Sequence, residues 1–217
     1  MYKQKLINEL VDNKIVTIIR GLDKEKIFNT VEALAKGRIK FCEITFSQLG
    51  SPSDEETGEI LYELSKRYDG KVHIGAGTVL NTRQVEIAKE AGAKYIISPD
   101  TNETVVRRTL ELGMVSIPGA FTPTEISHAH NLGADLVKVF PCDLLPTEYF
   151  KAVSAPLPKV KLMATGGLNI HNIKSYLNSG VACCGIGSGI VNKRIISEGR
   201  YDDITDLAKS FVYTIMD

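Results

Sequence analysis

The sequence predicts an α/β fold, a single (β/α)8 TIM barrel over residues 1–217, chiefly because a helix that ends in Gly followed by a short β-rich run recurs along the chain. The glycines that end these helices stand at positions 37, 92, 113, 133 and 180. Gly suits this place because it accepts the left-handed conformation without a Cβ penalty. Their spacings are 55, 21, 20 and 47 residues, so each long gap hides one more unit.

Eight β-rich runs result from this count. Five follow the glycine within the segments 35–44, 90–98, 111–117, 131–139 and 178–186, and the other three are residues 14–21, 72–79 and 160–167. The helical stretches between them, such as NTRQVEIAKEAG, TNETVVRRTLELG and TPTEISHAHNLG, begin with Asn or Thr at capping positions. Strands that alternate with helices form a parallel sheet, and these runs are apolar on both faces, as a helix-covered sheet requires. An open doubly wound sheet is the structural alternative, since strand number alone does not prove closure.

Composition and charge exclude several classes of function. The 26 Lys and Arg balance the 26 Asp and Glu, so no basic field favours nucleic acid or an anionic membrane surface. No apolar run approaches the roughly 18 residues that a membrane span needs, and the amphipathic N-terminus does not resemble a signal peptide. We therefore expect one cytoplasmic domain with no nucleic-acid partner and no membrane partner.

The cysteines and histidines give little sign of metal or thiol chemistry. The four cysteines, Cys42, Cys142, Cys183 and Cys184, lack CxxC spacing, and the neighbours Cys183 and Cys184 should point to opposite faces of one strand. We expect buried, reduced thiols. His128 and His130 lie on a predicted helix at a spacing that turns them to different faces. No metal site is predicted, although ligands scattered along the chain would escape this inspection.

Two charged residues occur inside predicted strands. In FCEITF, apolar Cys42 and Ile44 take one parity, so Glu43 should point into the barrel. In ADLVKVF the same argument turns Lys138 inward and Val137 outward. A barrel interior with a lysine and a glutamate is costly, because burial of either charge alone costs several kcal/mol.

A buried structural ion pair is one interpretation of this interior lysine and glutamate. The alternative is catalytic: desolvation lowers the pKa of Lys138, so that a neutral amine can attack a carbonyl carbon and form a Schiff base. Glu43 beside it could then move protons. We favour the catalytic interpretation.

The ends of several strands carry candidate anion-binding groups. TGG (165–167) follows the seventh strand and GIGSG (185–189) follows the eighth, where barrels commonly hold phosphate with backbone amides. Arg20, at the end of the first strand, is a cation on the same rim, with a plain surface arginine as the alternative. The polar segment 48–58 is the one long loop, predicted to be either a surface excursion or a flap over the site.

Seven motifs in register cover nearly the whole chain: FCEITF, IGAGTVL, YIISP, SIPGAFTPTE, LVKVFPCD, ATGG and GIGSG. Together they resemble the 2-keto-3-deoxy-6-phosphogluconate (KDPG) and 4-hydroxy-2-oxoglutarate (KHG) aldolases. The resemblance implies a class I aldolase that needs no cofactor or metal. Such an enzyme cleaves a 2-keto-3-deoxy sugar acid phosphate reversibly to pyruvate and glyceraldehyde 3-phosphate, usually as a homotrimer. The preferred C4 configuration and the phosphorylation state of the substrate stay open.

The resemblance also assigns roles to individual residues. It implies that Lys138 is the Schiff-base lysine and Glu43 the general acid/base. The implied substrate-binding residues are Thr78 and Thr165 at the pyruvyl oxygens, Pro99 and Phe140 around the reacting carbon, and Gly166, Gly167, Gly187 and Ser188 at the phosphate.

The chain departs from some members of the family in one substrate contact. Ser47 stands where those members have an Arg that helps hold the substrate carboxylate, and Arg20 is the candidate replacement. Two rival functions are kept. One is a phosphosugar isomerase or epimerase barrel that needs no imine. The other is a barrel that binds a keto acid without chemistry, and the costly buried pair argues against it.

Overall fold

A barrel of parallel strands surrounded by helices is the architecture of the protein in a computed structural model, which describes residues 2–216. The strands are β1 (Ile15–Ile19), β2 (Phe41–Thr45), β3 (His73–Gly77), β4 (Tyr95–Ile97), β5 (Val115–Ile117), β6 (Gly119–Ala120), β7 (Val137–Val139), β8 (Leu162–Thr165) and β9 (Cys183–Ile186). The helices are α1 (Tyr2–Asn13), α2 (Lys24–Lys36), α3 (Asp54–Arg67), α4 (Thr82–Glu90), α5 (Glu103–Glu111), α6 (Pro123–Asn131), α7 (Thr147–Ser154), α8 (Ile173–Asn178), α9 (Lys193–Ser197) and α10 (Tyr201–Met216).

The ring of strands closes through a divided fifth strand. β5 pairs with β4 and β6 pairs with β7, both in parallel, and only Pro118 separates β5 from β6. The backbone N–H of Lys138 donates to the Pro118 carbonyl at 2.8 Å, so pairing continues past the proline. Proline interrupts the ladder because it has no N–H to donate. Counting β5 and β6 as one position gives eight, which confirms the predicted (β/α)8 barrel and makes the open doubly wound alternative wrong.

Two apolar clusters fill the space on either side of the strands. The outer cluster lies between strands and helices and includes Cys184, whereas the inner cluster includes Cys183. The prediction that these two neighbours face opposite sides is confirmed. Leu6, Ile7 and Leu10 of α1 belong to the inner cluster, so this N-terminal helix packs against the barrel interior.

The predicted helix starts are confirmed at three helices. Asn81, Asn102 and Thr122 cap α4, α5 and α6, and each side chain accepts a hydrogen bond from a backbone N–H in the first turn. These caps satisfy N–H groups that have no partner inside the helix.

The explanation for Gly37 was wrong, although four of the five helix-ending glycines are left-handed as predicted. Gly37 has φ −78°, and Arg38 takes the positive φ of 68° instead. Space explains this glycine: a Cβ at Gly37 would lie 2.4 Å from the Cβ of Ala208. The close packing of α2 against α10 therefore requires Gly here.

The segment 48–58 is only partly a loop. Ser53 caps α3 in a capping box with Glu56, so α3 begins at Asp54 and the second half of the predicted loop is helix. The acidic run DEE favours a helix start, because negative charge is stabilised at a helix N-terminus. The first half stays irregular, and the Gln48 side chain donates to the Thr78 carbonyl at 3.2 Å, which places it on the rim where β2 and β3 end.

No helix in the described part of the chain is long and apolar enough to cross a membrane.

Candidate active site

Glu43 and Lys138 project from β2 and β7 into the barrel interior. Glu43 is completely buried and Lys138 is 2% exposed. Their strand neighbours Phe41 and Leu136 belong to the inner cluster, while Cys42 and the valines on either side of Lys138 belong to the outer one. The predicted inward direction of both charged side chains is therefore confirmed.

The Glu43 carboxyl group is buried without a hydrogen-bond partner. Neither of its oxygens finds a donor among the described residues, so it does not form a directly bonded ion pair with Lys138. Burial raises the pKa of Glu43, and the positive charges of Lys138 and Arg20 oppose that rise. A carboxyl group with a raised pKa keeps its proton to higher pH than an exposed glutamic acid does, and it can release that proton to a reacting molecule.

The Lys138 amine lies in an apolar setting. Burial lowers its pKa, Glu43 opposes this change, and Arg20 lowers the pKa further. Its Nζ lies 4.9 Å from the centre of the Phe140 ring. The neutral form of this amine is consequently more populated near neutral pH than for an exposed lysine, and the neutral amine is the nucleophile.

A cavity of about 500 Å³ opens at the carboxyl ends of β1, β7, β8 and β9, and Lys138 is part of its wall. Its volume suits a small metabolite. The predicted site residues that line it are Arg20, Lys138, Phe140, Thr165, Gly166, Gly167, Gly187 and Ser188. Four basic side chains and no Asp or Glu occur among the described lining residues. The cavity is therefore suited to an anionic ligand.

Arg20 and Thr78 are joined on the rim. The Arg20 guanidinium donates to the Thr78 hydroxyl at 2.9 Å. Thr78 follows β3 and has a left-handed φ of 54°, which is a strained conformation for a β-branched residue. Strained backbone of this kind is common at ligand sites. A second cavity of about 360 Å³ beside the first is lined by both residues and by Ser47. The structure thus brings Arg20 next to Thr78, and Ser47 lies on the same side of the mouth.

Thr165 and the two glycines after it form the opposite wall. The Thr165 hydroxyl is buried without a hydrogen-bond partner. Gly166 and Gly167 have φ values of 116° and 63°, which side chains other than glycine rarely adopt. The unpaired hydroxyl at the cavity wall is available to a ligand.

Among the predicted site residues, Glu43 lines neither cavity, and neither does Pro99. Pro99 is half-buried at the end of β4, and its carbonyl oxygen would lie 2.2 Å from a Cβ at Gly119. It thus packs against the divided fifth strand. Its role as a wall beside the substrate stays a prediction.

Sequence reasoning missed several lining residues. Leu168, Val191, Asn192, Lys193 and Arg194 also border the larger cavity. Lys193 and Arg194 are two consecutive cations shortly after GIGSG, and this signal could have found them. It also missed Gly77, where a Cβ would lie 1.6 Å from an oxygen of Glu43.

The thiols lie outside this chemistry. All four cysteines are free and buried, and burial raises the pKa of Cys42 and of Cys142 to about 12. No group of three or more His, Cys, Asp or Glu side chains in residues 2–216 could hold a metal ion.

Comparison with known proteins places the chain among aldolases. The family model described as "Aldolase: KDPG and KHG aldolase" matches residues 6–207. The chain is 32% identical to the 2-dehydro-3-deoxy-phosphogluconate aldolase of Haemophilus influenzae over 211 residues, covering 96% of each chain. It is also 32% identical to the 2-dehydro-3-deoxy-6-phosphogalactonate aldolase of Escherichia coli K12, covering 81% of this chain and 83% of the relative.

Solved structures with the same fold include one with a trapped reaction intermediate. The KDPG aldolase of Legionella pneumophila, with pyruvate captured as a covalent carbinolamine, matches with a TM-score of 0.82 and 28% identity over 93% of this chain and 95% of that one. A structure described as native KDPGal matches with a TM-score of 0.83 and 28% identity over 93% and 94% of the two chains.

Proposed function

The chain belongs to the KDPG and KHG aldolase family, and from this premise we propose that it is a class I aldolase, an aldehyde-lyase in which Lys138 forms the Schiff base. Its substrate is 2-keto-3-deoxy-6-phosphogluconate, which it cleaves reversibly to pyruvate and glyceraldehyde 3-phosphate. The observation that carries the proposal is a buried lysine, with its pKa lowered by burial, at the wall of a cavity that has no carboxylate among its described lining residues. An isomerase or epimerase has no need of such an amine.

The reaction begins at the C2 ketone of the substrate. Neutral Lys138 adds to C2 to give a carbinolamine, and loss of water, aided by a proton from Glu43, gives the iminium ion. The C3–C4 bond then breaks, its electron pair moves into the iminium group, and the C4 hydroxyl passes its proton, directly or through water, to the Glu43 carboxylate as the aldehyde forms. Glu43, directly or through water, returns a proton to C3 of the enamine. Hydrolysis of the resulting imine releases pyruvate and the free lysine.

Substrate binding divides between the two sides of the cavity. Thr78, held by Arg20, and Thr165 bind the pyruvyl carboxylate and neighbouring oxygens, and Arg20 replaces the cation that Ser47 cannot supply. Phe140 and Pro99 lie around the reacting carbon. Gly166, Gly167, Gly187 and Ser188 bind the phosphate of the aldehyde half through the loops that follow β8 and β9.

Neither a cofactor nor a metal ion takes part in the proposed reaction, because the iminium group itself serves as the electron sink. We place the single (β/α)8 aldolase domain, residues 1–217, in the cytoplasm as a homotrimer. Light scattering at micromolar concentration should then give about 71 kDa, three times the chain mass of 23.8 kDa. A mass near 24 kDa would contradict the trimer.

The test of substrate class is a cleavage assay in which lactate dehydrogenase reports the pyruvate released. We expect turnover of 2-keto-3-deoxy-6-phosphogluconate, and Lys138→Met serves as the inactive control. The phosphogalactonate epimer and 4-hydroxy-2-oxoglutarate are assayed beside it, because relatives carry both activities in their names. Absence of pyruvate from all three substrates, with folded wild-type protein, would contradict the proposal.

A further inference from the structure

Lys193 is a cation at the mouth of the site that the mechanism does not use. It is the first residue of α9, which begins shortly after the glycine-rich turn that follows β9. Arg20 and Lys193 are the two residues that line both the larger and the smaller cavity. Lys193 therefore stands where the two spaces meet.

The Lys193 ammonium group lies beside Gly21. A Cβ on Gly21 would lie 3.0 Å from Lys193 Nζ, and Gly21 itself has a left-handed φ of 64°. The ammonium group thus lies over the backbone directly after Arg20. A side chain at position 21 would compete with it for this space.

Among the described residues, neither cavity has an Asp or Glu in its wall to neutralise this charge. The neighbouring Arg194 differs, because its guanidinium pairs with Glu198 at 3.1 Å and is 87% exposed. Arg20 is also engaged, since it donates to Thr78. Lys193 is consequently the rim cation that remains for a ligand.

A phosphate dianion needs such a charge. Backbone N–H groups of a glycine-rich loop donate hydrogen bonds but carry no net charge, whereas a lysine adds a point charge that strengthens the contact. Gly187 and Ser188 line the same cavity as Lys193 and lie six and five residues before it in the chain. Arg20 also lines this cavity, but its guanidinium is bonded to Thr78, where the pyruvyl carboxylate is assigned.

We propose that Lys193 is a specificity-determining residue that binds the terminal phosphate of the aldehyde half and so selects phosphorylated over neutral aldehydes. This inference rests on the proposed aldolase function.

The experiment compares Lys193→Met with wild-type enzyme in the condensation direction, with pyruvate and either glyceraldehyde 3-phosphate or glyceraldehyde. We expect the KM for glyceraldehyde 3-phosphate to rise about tenfold, as loss of one charge-assisted contact at a partly exposed site predicts. The KM for glyceraldehyde and both kcat values should change little. High salt should reduce the difference between variant and wild type, since it screens exposed charges.

Lys24→Met is the matched control. Lys24 begins α2, so it also follows a strand end on this face of the barrel, but its ammonium pairs with Glu63 at 2.7 Å and lines neither cavity. We expect it to leave the preference for the phosphorylated aldehyde unchanged. Circular dichroism confirms that both variants fold.

Two outcomes would overturn the inference. An unchanged ratio of kcat/KM values for the two aldehydes would show that Lys193 does not contact the phosphate, and an equal loss for both would assign it a structural role. Trapping of pyruvate on Lys138 by borohydride separates this failure from failure of the proposed function. The adduct would persist in Lys193→Met if only the present inference is wrong, and it would be absent from wild-type enzyme if the aldolase function is wrong.

Discussion

Glu43 and Lys138 are costly residues in the interior of a small barrel. A carboxyl group without a hydrogen-bond donor and an amine in an apolar setting each lose the hydration that they have in the unfolded chain. A direct bond between them would have offset part of this cost, and it is absent. The arrangement leaves both groups free to react, which a purely structural ion pair would not do.

Replacement of Glu43 by Gln tests its role as a proton carrier. We expect kcat for cleavage to fall on the order of 10²-fold, because an amide cannot exchange the proton. The fold should persist, since Gln has nearly the same shape. Burial raises the pKa of Glu43 above the ordinary value of 4.5. The free energy of unfolding of the wild-type protein therefore falls as pH rises above 4.5, and the neutral Gln of the variant makes no such contribution. The melting temperature at pH 7 should therefore equal or exceed that of wild type.

Glu63→Gln is the control for this substitution, because Glu63 is a half-exposed carboxylate paired with Lys24 on the outside of the barrel. Turnover of Glu43→Gln equal to that of Glu63→Gln would remove Glu43 from the proposed mechanism.

The pH dependence of imine formation tests the state of Lys138. Its pKa is lowered from 10.5 by burial, so the neutral amine becomes populated at lower pH than for an ordinary lysine. The rate of pyruvate adduct formation should rise with pH and reach its plateau below pH 10.5. Quenched-flow trapping with borohydride measures this rate. A rate that continues to rise through pH 10.5 would mean that Lys138 behaves as an exposed lysine.

At the scale of elements, β3 leaves space inside the barrel because its two inward positions are glycines. Gly75 and Gly77 share the inward parity, and a Cβ at Gly75 would lie 2.1 Å from the Tyr95 ring. The space above β3 is instead occupied by Tyr95 and, at Gly77, by the Glu43 carboxyl. Glycine at these two positions is therefore required by the close approach of neighbouring side chains.

Gly77→Ala tests this arrangement. The new methyl group must displace the Glu43 carboxyl, whose oxygen lies 1.6 Å from the Cβ position. We expect kcat to fall about 10²-fold, as a misplacement of roughly 1 Å at a reacting group can do. Ala76→Gly is the control on the same strand, because the Ala76 side chain faces the outer cluster. It should lose stability in a urea titration but keep its kcat; an equal kcat for both variants would contradict the argument.

Element boundaries were predictable where a local signal controls them. Asn81, Asn102 and Thr122 cap their helices as their side-chain chemistry predicts. Gly37 was misread because its reason is a contact with Ala208, which is distant in the sequence. The start of α3 inside segment 48–58 was overlooked, although Ser53 and the acid-rich turn after it are a local signal.

At the scale of the whole molecule, the charged side chains are unevenly distributed although the chain has no net charge. The chain has no net charge, yet the larger cavity has Arg20, Lys138, Lys193 and Arg194 in its wall and no carboxylate among its described lining residues. This concentration of basic side chains, with Arg20, Lys193 and Arg194 as its cations, attracts a substrate with a carboxylate and a phosphate. Composition alone cannot reveal it, because the basic side chains come from three separate segments of the chain.

The repeat of strands and helices and the parity of Glu43 and Lys138 were enough to predict the barrel and its charged interior. Closure through β5 and β6 was not predictable from the strand count, since it depends on how Pro118 divides one extended run between two partners. The place of Lys193 at the mouth of the site was not predictable either, because Lys193 lies beside Gly21, which is distant in the sequence. Such contacts between distant segments need the folded structure.

The most direct test of the central claim is to incubate the protein with pyruvate and borohydride, digest it, and locate any adduct by mass spectrometry. Reduction of the imine converts it to a stable secondary amine that survives digestion. The account predicts one reduced pyruvyl adduct, on Lys138, and none in Lys138→Met. Folded wild-type protein without an adduct, or with the adduct on another lysine, would contradict the assignment of Lys138 as the Schiff-base residue.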